Sequence, residues 1–280
     1  MFHVEQNKLK VRDHFLTQEE FKLEPTEIPY VWKTAPLPDD LAPYYESTEY
    51  ISHHQDSGTV KEKVYKFFQS FNLLYKKNIL LDFFDKGVTV LDYGCGAGEF
   101  LVQAEKDFST IGCELNATAR TAAQKKAVKT KFVSSLDEIA DDSLDVITLW
   151  HVFEHIGNQQ EMLELFQRKL KANGKLIIAV PNPTSYDARK YKEFWAAYDV
   201  PRHVFHFGKN GFKKLMSKNN WRVISERPLL LDAVYISILS EQYKKSTFAW
   251  LKGAVYGVIS NFKAISDGQY SSLIYILEKK

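Results

Sequence analysis

Residues 88–100 read VTVLDYGCGAGEF: an apolar run, an acid, then glycines at every second position. A short Val/Leu run bounded by turn formers predicts a buried strand. Glycines directly after such a strand let the backbone turn sharply and lie close to a ligand. From here the chain alternates. EFLVQAEKD reads as a helix, STIGCEL as a strand, ATARTAAQKKAV as a helix, TKFVSS as a short strand and DVITLW as a fourth strand. A helix is expected over NQQEMLELFQRKLKANG, its glycine just past the end, then a fifth strand in KLIIAVPNP, a helix in GKNGFKKLMSKNN, and strands in WRVISERPL and SSLIYILEKK. Strands alternating with crossover helices predict an α/β fold with a doubly wound, mostly parallel sheet.

Before this alternation the chain has a different texture. Residues 1–59 carry short alternating runs, many charges and the proline-rich stretch EPTEIPYVWKTAPLPDDLAPYY. That pattern predicts small strands and turns, an N-terminal extension over 1–59 ahead of a main domain over 60–280. Residues 60–84 place Val64, Phe67, Phe68, Phe71 and Leu74 at helical spacing, predicting an amphipathic helix or helix pair.

The glycine loop excludes two common phosphate binders. The dinucleotide fingerprint G-x-G-x-x-G fails because its third glycine is Glu99, and a carboxylate at a helix start repels a pyrophosphate. No Gly-Lys-Ser/Thr follows, so the P-loop fails as well. The order that fits is D-x-G-x-G-x-G, at Asp92, Gly94, Gly96 and Gly98. Glu114 stands twenty residues beyond Gly94, at the end of the second strand, where a carboxylate accepts ribose hydroxyls. Together these features describe a nucleoside held without phosphates, beside groups that tolerate positive charge.

This segment resembles motif I of the class I S-adenosylmethionine-dependent methyltransferases, and IGCELN resembles the family's second motif. The resemblance covers roughly residues 60–280. It implies a Rossmann-like seven-stranded sheet, S-adenosylmethionine as cofactor and S-adenosylhomocysteine as product. It further implies a cofactor-facing set of Asp92, Gly94, Cys95, Gly96, Glu114, Leu115, Ser135, Trp150 and His151. Asp92 would orient the amino group, Glu114 the ribose, and Ser134 or Ser135 would stand where the family contacts adenine. Many members carry an acid there.

LWHVFEHI at 149–156 follows the fourth strand and is similar to the HVxEHI block of the small-molecule branch, in which the residue at His151 lies near cofactor and substrate. In YDVPRHVFHF at 198–207, Arg202, His203 and His206 fall where that family's substrate wall forms. A hydroxyl acceptor must lose a proton, and histidine titrates near neutrality. His203 is the leading base and His151 the second. HxxEH superficially resembles the zincin H-E-x-x-H, but its order differs and it lies at a strand end, so no metal is expected. PYYESTEYISH resembles a stretch upstream of the catalytic domain in a bacterial branch, where it follows a Cys-x-x-Cys zinc ribbon. The preceding region here has no cysteine, which implies a metal-free remnant whose Tyr44, Tyr45, Tyr50 and His53 either close over the cofactor or only pack. Tyr45 and Tyr50, with Arg202 and His206, are the expected acceptor-pocket residues.

Composition narrows the remaining classes. A net charge of +2 gives no committed polyanion surface, and the Asn/Asp-Pro-Pro-Tyr/Phe clamp of base N-methyltransferases is absent after the fourth strand, so a nucleic-acid partner is not expected. Two cysteines, Cys95 and Cys113, are too few for a disulfide framework. The charged N-terminus lacks a signal-peptide core, and a cytoplasmic location is expected. Residues 248–262, FAWLKGAVYGVISNF, fall short of the roughly 20 apolar residues that span a bilayer and read first as a packed helix, second as a membrane-surface helix. The expected function is methyl transfer to a small-molecule, saccharide- or lipid-linked acceptor, by a monomer or homodimer. The alternatives are a cofactor-binding relative without catalysis, or a methyltransferase of RNA or protein.

Overall fold

A computed structural model of the chain describes residues 9–45 and 60–280, with side chains from residue 70 onward in the second segment. The strands in chain order are β1 (Leu9–Arg12), β2 (Glu20–Pro25), β3 (Val31–Ala35), β4 (Thr89–Tyr93), β5 (Ser109–Cys113) and β6 (Lys131–Val133). They continue as β7 (Leu144–Trp150), β8 (Leu170–Pro181), β9 (Phe205–Phe207), β10 (Trp221–Pro228) and β11 (Ser272–Lys279). Seven of them form one sheet in the order β10-β11-β8-β7-β4-β5-β6. β11 runs antiparallel to both its neighbours, whereas β8, β7, β4, β5 and β6 are parallel. The α/β, doubly wound, seven-stranded architecture read from the sequence is the one observed.

Alternation along the central strands explains why the sheet is covered on both faces. Leu91, Ile147, Leu176, Ile178, Tyr275 and Leu277 pack into one cluster with Leu163 and Phe166 of the helix Gln159–Lys169 and Phe212 and Met216 of the helix Lys209–Lys218. The intervening residues Val90, Val146, Ile177, Ala179, Ile274 and Ile276 pack on the other side with Ile79 and Leu80 of the helix Val60–Leu81 and with Phe100. Within that first helix Phe71 and Leu74 are about half exposed, while Leu73, Tyr75, Ile79 and Leu80 pack on the sheet; the side chains of Val64, Phe67 and Phe68 lie outside the described residues.

Two boundaries differ from the sequence reading. The helix expected over residues 158–174 ends at Lys169, because Leu170 already pairs with Leu144 as β8 begins. The histidine-rich stretch after the fifth strand contains β9, a three-residue strand that joins a second sheet in the order β1-β2-β3-β9. Val31 pairs with Phe207, Trp32 with His206 and Lys33 with Phe205. The N-terminal strands are thereby hydrogen-bonded to a segment of the expected main domain.

After β10 two helices form a hairpin, Leu230–Tyr243 and Ala249–Asp267. They approach closely at Gly253 and Gly257, where an added Cβ would stand 2.4 Å from the Cα of Ile238 and of Val234. The apolar 248–262 segment is therefore packed along one face. Among the described residues no helix is long and apolar enough to cross a membrane.

Candidate active site

In a doubly wound sheet ligands bind beyond the carboxyl ends of the strands, where the strand order reverses. Here β4 lies between β5 and β7, so the reversal falls at β4/β7. The carboxyl ends of β4, β5 and β7 carry Asp92 with the glycine loop, Glu114, and His151.

The loop takes left-handed backbone at Gly94 (φ 72°), Gly96 (φ 53°) and Gly98 (φ 81°). An L side chain pays a steric penalty there that glycine does not. A Cβ at Gly94 would lie 2.6 Å from Val152 Cγ2, whereas at Gly96 nothing among the described residues stands within 4 Å. The loop is thus closed on the Val152 side and open at Gly96. Asp92 is 2% exposed and accepts a hydrogen bond from Thr148 Oγ1 at 2.7 Å. Burial pushes its carboxyl up to about 7. Thr148 and the ammonium of Lys76 oppose that rise and Glu114 adds to it. Glu114 accepts from the N–H of Gly96 at 2.9 Å and of Asn116 at 2.8 Å, which aims its carboxylate across the loop mouth with lone pairs to spare.

His151 has φ 58°, a left-handed conformation rare outside glycine and a mark of a constrained site. Its Nε2 stands 2.9 Å from Asp232 Oδ2 and its Nδ1 3.5 Å from Glu154 Oε1. Desolvation opposes charging, but these two carboxylates outweigh it and raise the imidazole to about 9. His151 is accordingly a cation near neutrality and does not take up a proton there. The Lys76 ammonium lies 4.8 Å from the centroid of the Trp150 ring, and its pKa is lowered by burial against the pull of Asp232 and Asp92.

The other expected residues divide into two groups. Cys95 is buried, with its thiol pushed up by burial, and Leu115 is 75% exposed at the rim beside Glu114. Trp150 packs edge-to-face on Phe100, at a centroid distance of 5.2 Å. Ser135 caps the short turn Leu136–Glu138, accepting from the N–H of Asp137, and Ser134 donates to Glu138. Both serine hydroxyls are engaged within that turn.

The acceptor-wall residues face inward to the second sheet. Arg202 is 1% exposed, and its guanidinium donates to Asp199 at 2.7 and 2.9 Å and to Asp13 at 2.9 Å. His206 is 4% exposed and meets Thr34 Oγ1 at 2.9 Å. Because that hydroxyl gives its single proton to the carbonyl of His203, it accepts from His206 Nε2–H. His206 thereby ties β9 to β3, and Arg202 ties the turn after β1 to Asp199. His203 is 8% exposed, with burial and the neighbouring His155 lowering it to about 4. Tyr45 reaches His155 Nδ1 at 3.0 Å, while Tyr50 and His53 lie outside the described residues. Thr148, Lys76 and Asp232 were not singled out in the sequence. The first lies in an ordinary strand and the second in an ordinary helix. Asp232 opens a helix whose nearly uniform apolarity gives no periodic signal.

A family profile described as "Methyltransferase domain" matches residues 62–226, more than half of the chain. The chain belongs to this methyltransferase family. Its members are class I S-adenosylmethionine-dependent enzymes. An uncharacterised protein of Methanocaldococcus jannaschii is 29% identical over 136 residues, 47% of this chain and 64% of the relative. A ubiquinone biosynthesis O-methyltransferase of Xanthomonas oryzae pv. oryzae is 26% identical over 132 residues, 43% of this chain and 55% of the relative. The matches thus span under two thirds of these curated relatives. A cyclopropane synthase of Mycobacterium tuberculosis shares the fold at 16% identity and a TM-score of 0.51, over 74% of this chain and 84% of that one.

The residues of this methyltransferase fit the family's cofactor, S-adenosylmethionine. The cradle is open at Gly96, and its carboxylates, Asp92 and Glu114, suit an ammonium and ribose hydroxyls. The site already stabilises one cation among carboxylates, at His151.

Proposed function

We propose that this methyltransferase transfers the methyl group of S-adenosylmethionine to a small-molecule, saccharide- or lipid-linked acceptor by in-line displacement. The observation that carries this reading is the convergence of Asp92, Gly96, Glu114 and His151 on the carboxyl ends of three adjacent strands. The cofactor supplies an electrophilic methyl on a sulfonium leaving group. Asp92 takes its ammonium, Glu114 its ribose hydroxyls, and the loop backbone its methionine chain, with Cys95 and Leu115 beside them. The His151–Asp232 pair would fix one wall of the site in which the methyl group is presented. Alignment and exclusion of water supply most of the rate. A hydroxyl acceptor is favoured by the O-methyltransferase among the relatives, and His203, whose Nε2 carries a lone pair, is proposed to receive its proton. Residues 1–59 are proposed as an extension that braces this wall through β3 and β9.

Titration calorimetry with S-adenosylhomocysteine tests the cofactor reading. Glu114→Ala is expected to weaken binding tenfold or more, about 1.4 kcal/mol. Wild-type chain that stays silent at millimolar ligand sinks the reading, and an unchanged affinity in the variant removes Glu114 from the ribose site.

Asp92 adds a pH signature. Its folded pKa of about 7 lies above the ordinary carboxylate value, so its contribution to stability is greatest in acid and is lost as pH rises through 7. Cofactor binding runs the opposite way, because an ammonium prefers the ionised carboxylate. Affinity is expected to rise roughly tenfold between pH 6 and pH 8, following the ionised fraction. Asp92→Asn should flatten that profile, and a variant retaining the full slope would assign it to another group.

A further inference from the structure

Three side chains beyond the cofactor cradle converge without being used by it: Glu154, His155 and His203. One ligand atom from each lies within 4.8 Å of the others. The tautomers of both histidines follow from their partners. His155 Nδ1 is 2.9 Å from the carbonyl oxygen of Arg202, and His203 Nδ1 is 3.0 Å from that of Ala197. A carbonyl oxygen only accepts, so each Nδ1 carries the proton and each Nε2 presents a lone pair. An Nδ1–H anchored on a backbone carbonyl is the arrangement that orients a metal-ligating imidazole.

Glu154 supplies the second, independent observation. It is 1% exposed, and among the described residues neither of its carboxylate oxygens has a hydrogen-bond partner. A buried carboxylate left in that state costs several kcal/mol unless a cation compensates it. The cation nearest to it, the His151 imidazolium, is shared with a second carboxylate. Arg202 is shared between Asp13 and Asp199, and His151 stands closer to Asp232, at 2.9 Å, than to Glu154, at 3.5 Å. The His203 Nε2 lone pair is 3.9 Å from Glu154 Oε1, with the His155 and His203 rings edge-to-face at 4.7 Å. Ligands about 2.1 Å from a common ion are separated by up to about 4.2 Å, so small side-chain rotations close the set.

We infer that Glu154, His155 and His203 form a binding site for a divalent first-row transition ion such as Zn²⁺, Mn²⁺ or Fe²⁺. Two imidazoles and one carboxylate select these over Mg²⁺ and Ca²⁺, and three protein ligands leave positions open for an oxygen-bearing acceptor. The set differs from the HxxEH spacing considered in the sequence: His151 is committed to Asp232, and the third ligand comes from a segment almost fifty residues on. The inference builds on the proposed methyl transfer and alters one part of it. With an ion bound, His203 Nε2 serves as a ligand, and the ion rather than the imidazole polarises the acceptor's hydroxyl.

The test uses the full chain without a polyhistidine tag, stripped with a chelator and dialysed against Zn²⁺ or Co²⁺. About one equivalent is expected to remain, and the Co²⁺ form is expected to show the visible d–d bands of an imidazole-ligated ion. The His155→Ala/His203→Ala double variant should retain less than a tenth of that, and Glu154→Gln should bind at least tenfold more weakly. The double variant should still bind S-adenosylhomocysteine within about threefold of wild type, which separates this inference from the cofactor reading. Wild-type chain that retains no ion and gives a featureless Co²⁺ spectrum overturns the site and leaves His203 as a direct base. Equal metal retention in the double variant also overturns it.

Discussion

Gly94→Ala is expected to lose about 2–5 kcal/mol of folding stability and nearly all cofactor affinity. Left-handed backbone at φ 72° costs a residue with a Cβ roughly 1–2 kcal/mol. The new methyl group would also stand 2.6 and 2.7 Å from the two Cγ atoms of Val152, and overpacking of that kind adds about 1–3 kcal/mol. Val152 sits between His151 and Glu154, so relief of the clash displaces both walls of the site together. The melting temperature should fall by roughly 10 °C. Gly96→Ala provides the contrast. Its Cβ would meet no atom of the described residues within 4 Å, so the fold should lose only the conformational penalty while S-adenosylhomocysteine binding collapses. If Gly94→Ala melts like wild type, the loop is not held against Val152 as described. If Gly96→Ala binds normally, the open side of the loop is not where the cofactor lies.

Arg202→Ala should be as damaging for a different reason. The guanidinium neutralises Asp13, whose side chain is fully buried, and also holds Asp199. Deleting one member of a buried ion pair leaves an uncompensated charge, at a cost of about 3–5 kcal/mol. The expected fall in melting temperature is on the order of 10 °C, with S-adenosylhomocysteine affinity in the remaining folded protein little changed. A variant with unaltered melting would free Arg202 from this structural role and return it to the acceptor wall.

The sheet could be read from the sequence because its strands are short apolar runs separated by turn formers, and because Asp92, Gly94, Gly96 and Glu114 keep fixed positions relative to β4 and β5. Local pattern stops there. β9 is only FHF, too short to carry an alternation signal, and its partner lies near the other end of the chain. The same limit hid the roles of Arg202 and His206, whose composition beside a strand end is that of a substrate wall but whose partners are Asp13, Asp199 and Thr34. Asp232 was invisible for a related reason. Its helix is apolar nearly all round, and only its position in space shows that it holds His151 as a cation. The early end of the helix at Lys169 reflects competition between helical propensity and the pairing of Leu170 with Leu144, which a single segment does not display.

The joining of β3 to β9 also sets an order of events during synthesis. Thr34 and His206, which meet across that junction, are 172 residues apart. At about 5–20 residues per second, the ribosome delivers the second roughly ten to thirty seconds after the first. Throughout that interval the β1–β2–β3 meander exposes the unpaired backbone of β3, an edge that can template pairing with any other nascent strand. Chaperone occupancy on this edge should therefore fall when Phe207 clears the exit tunnel.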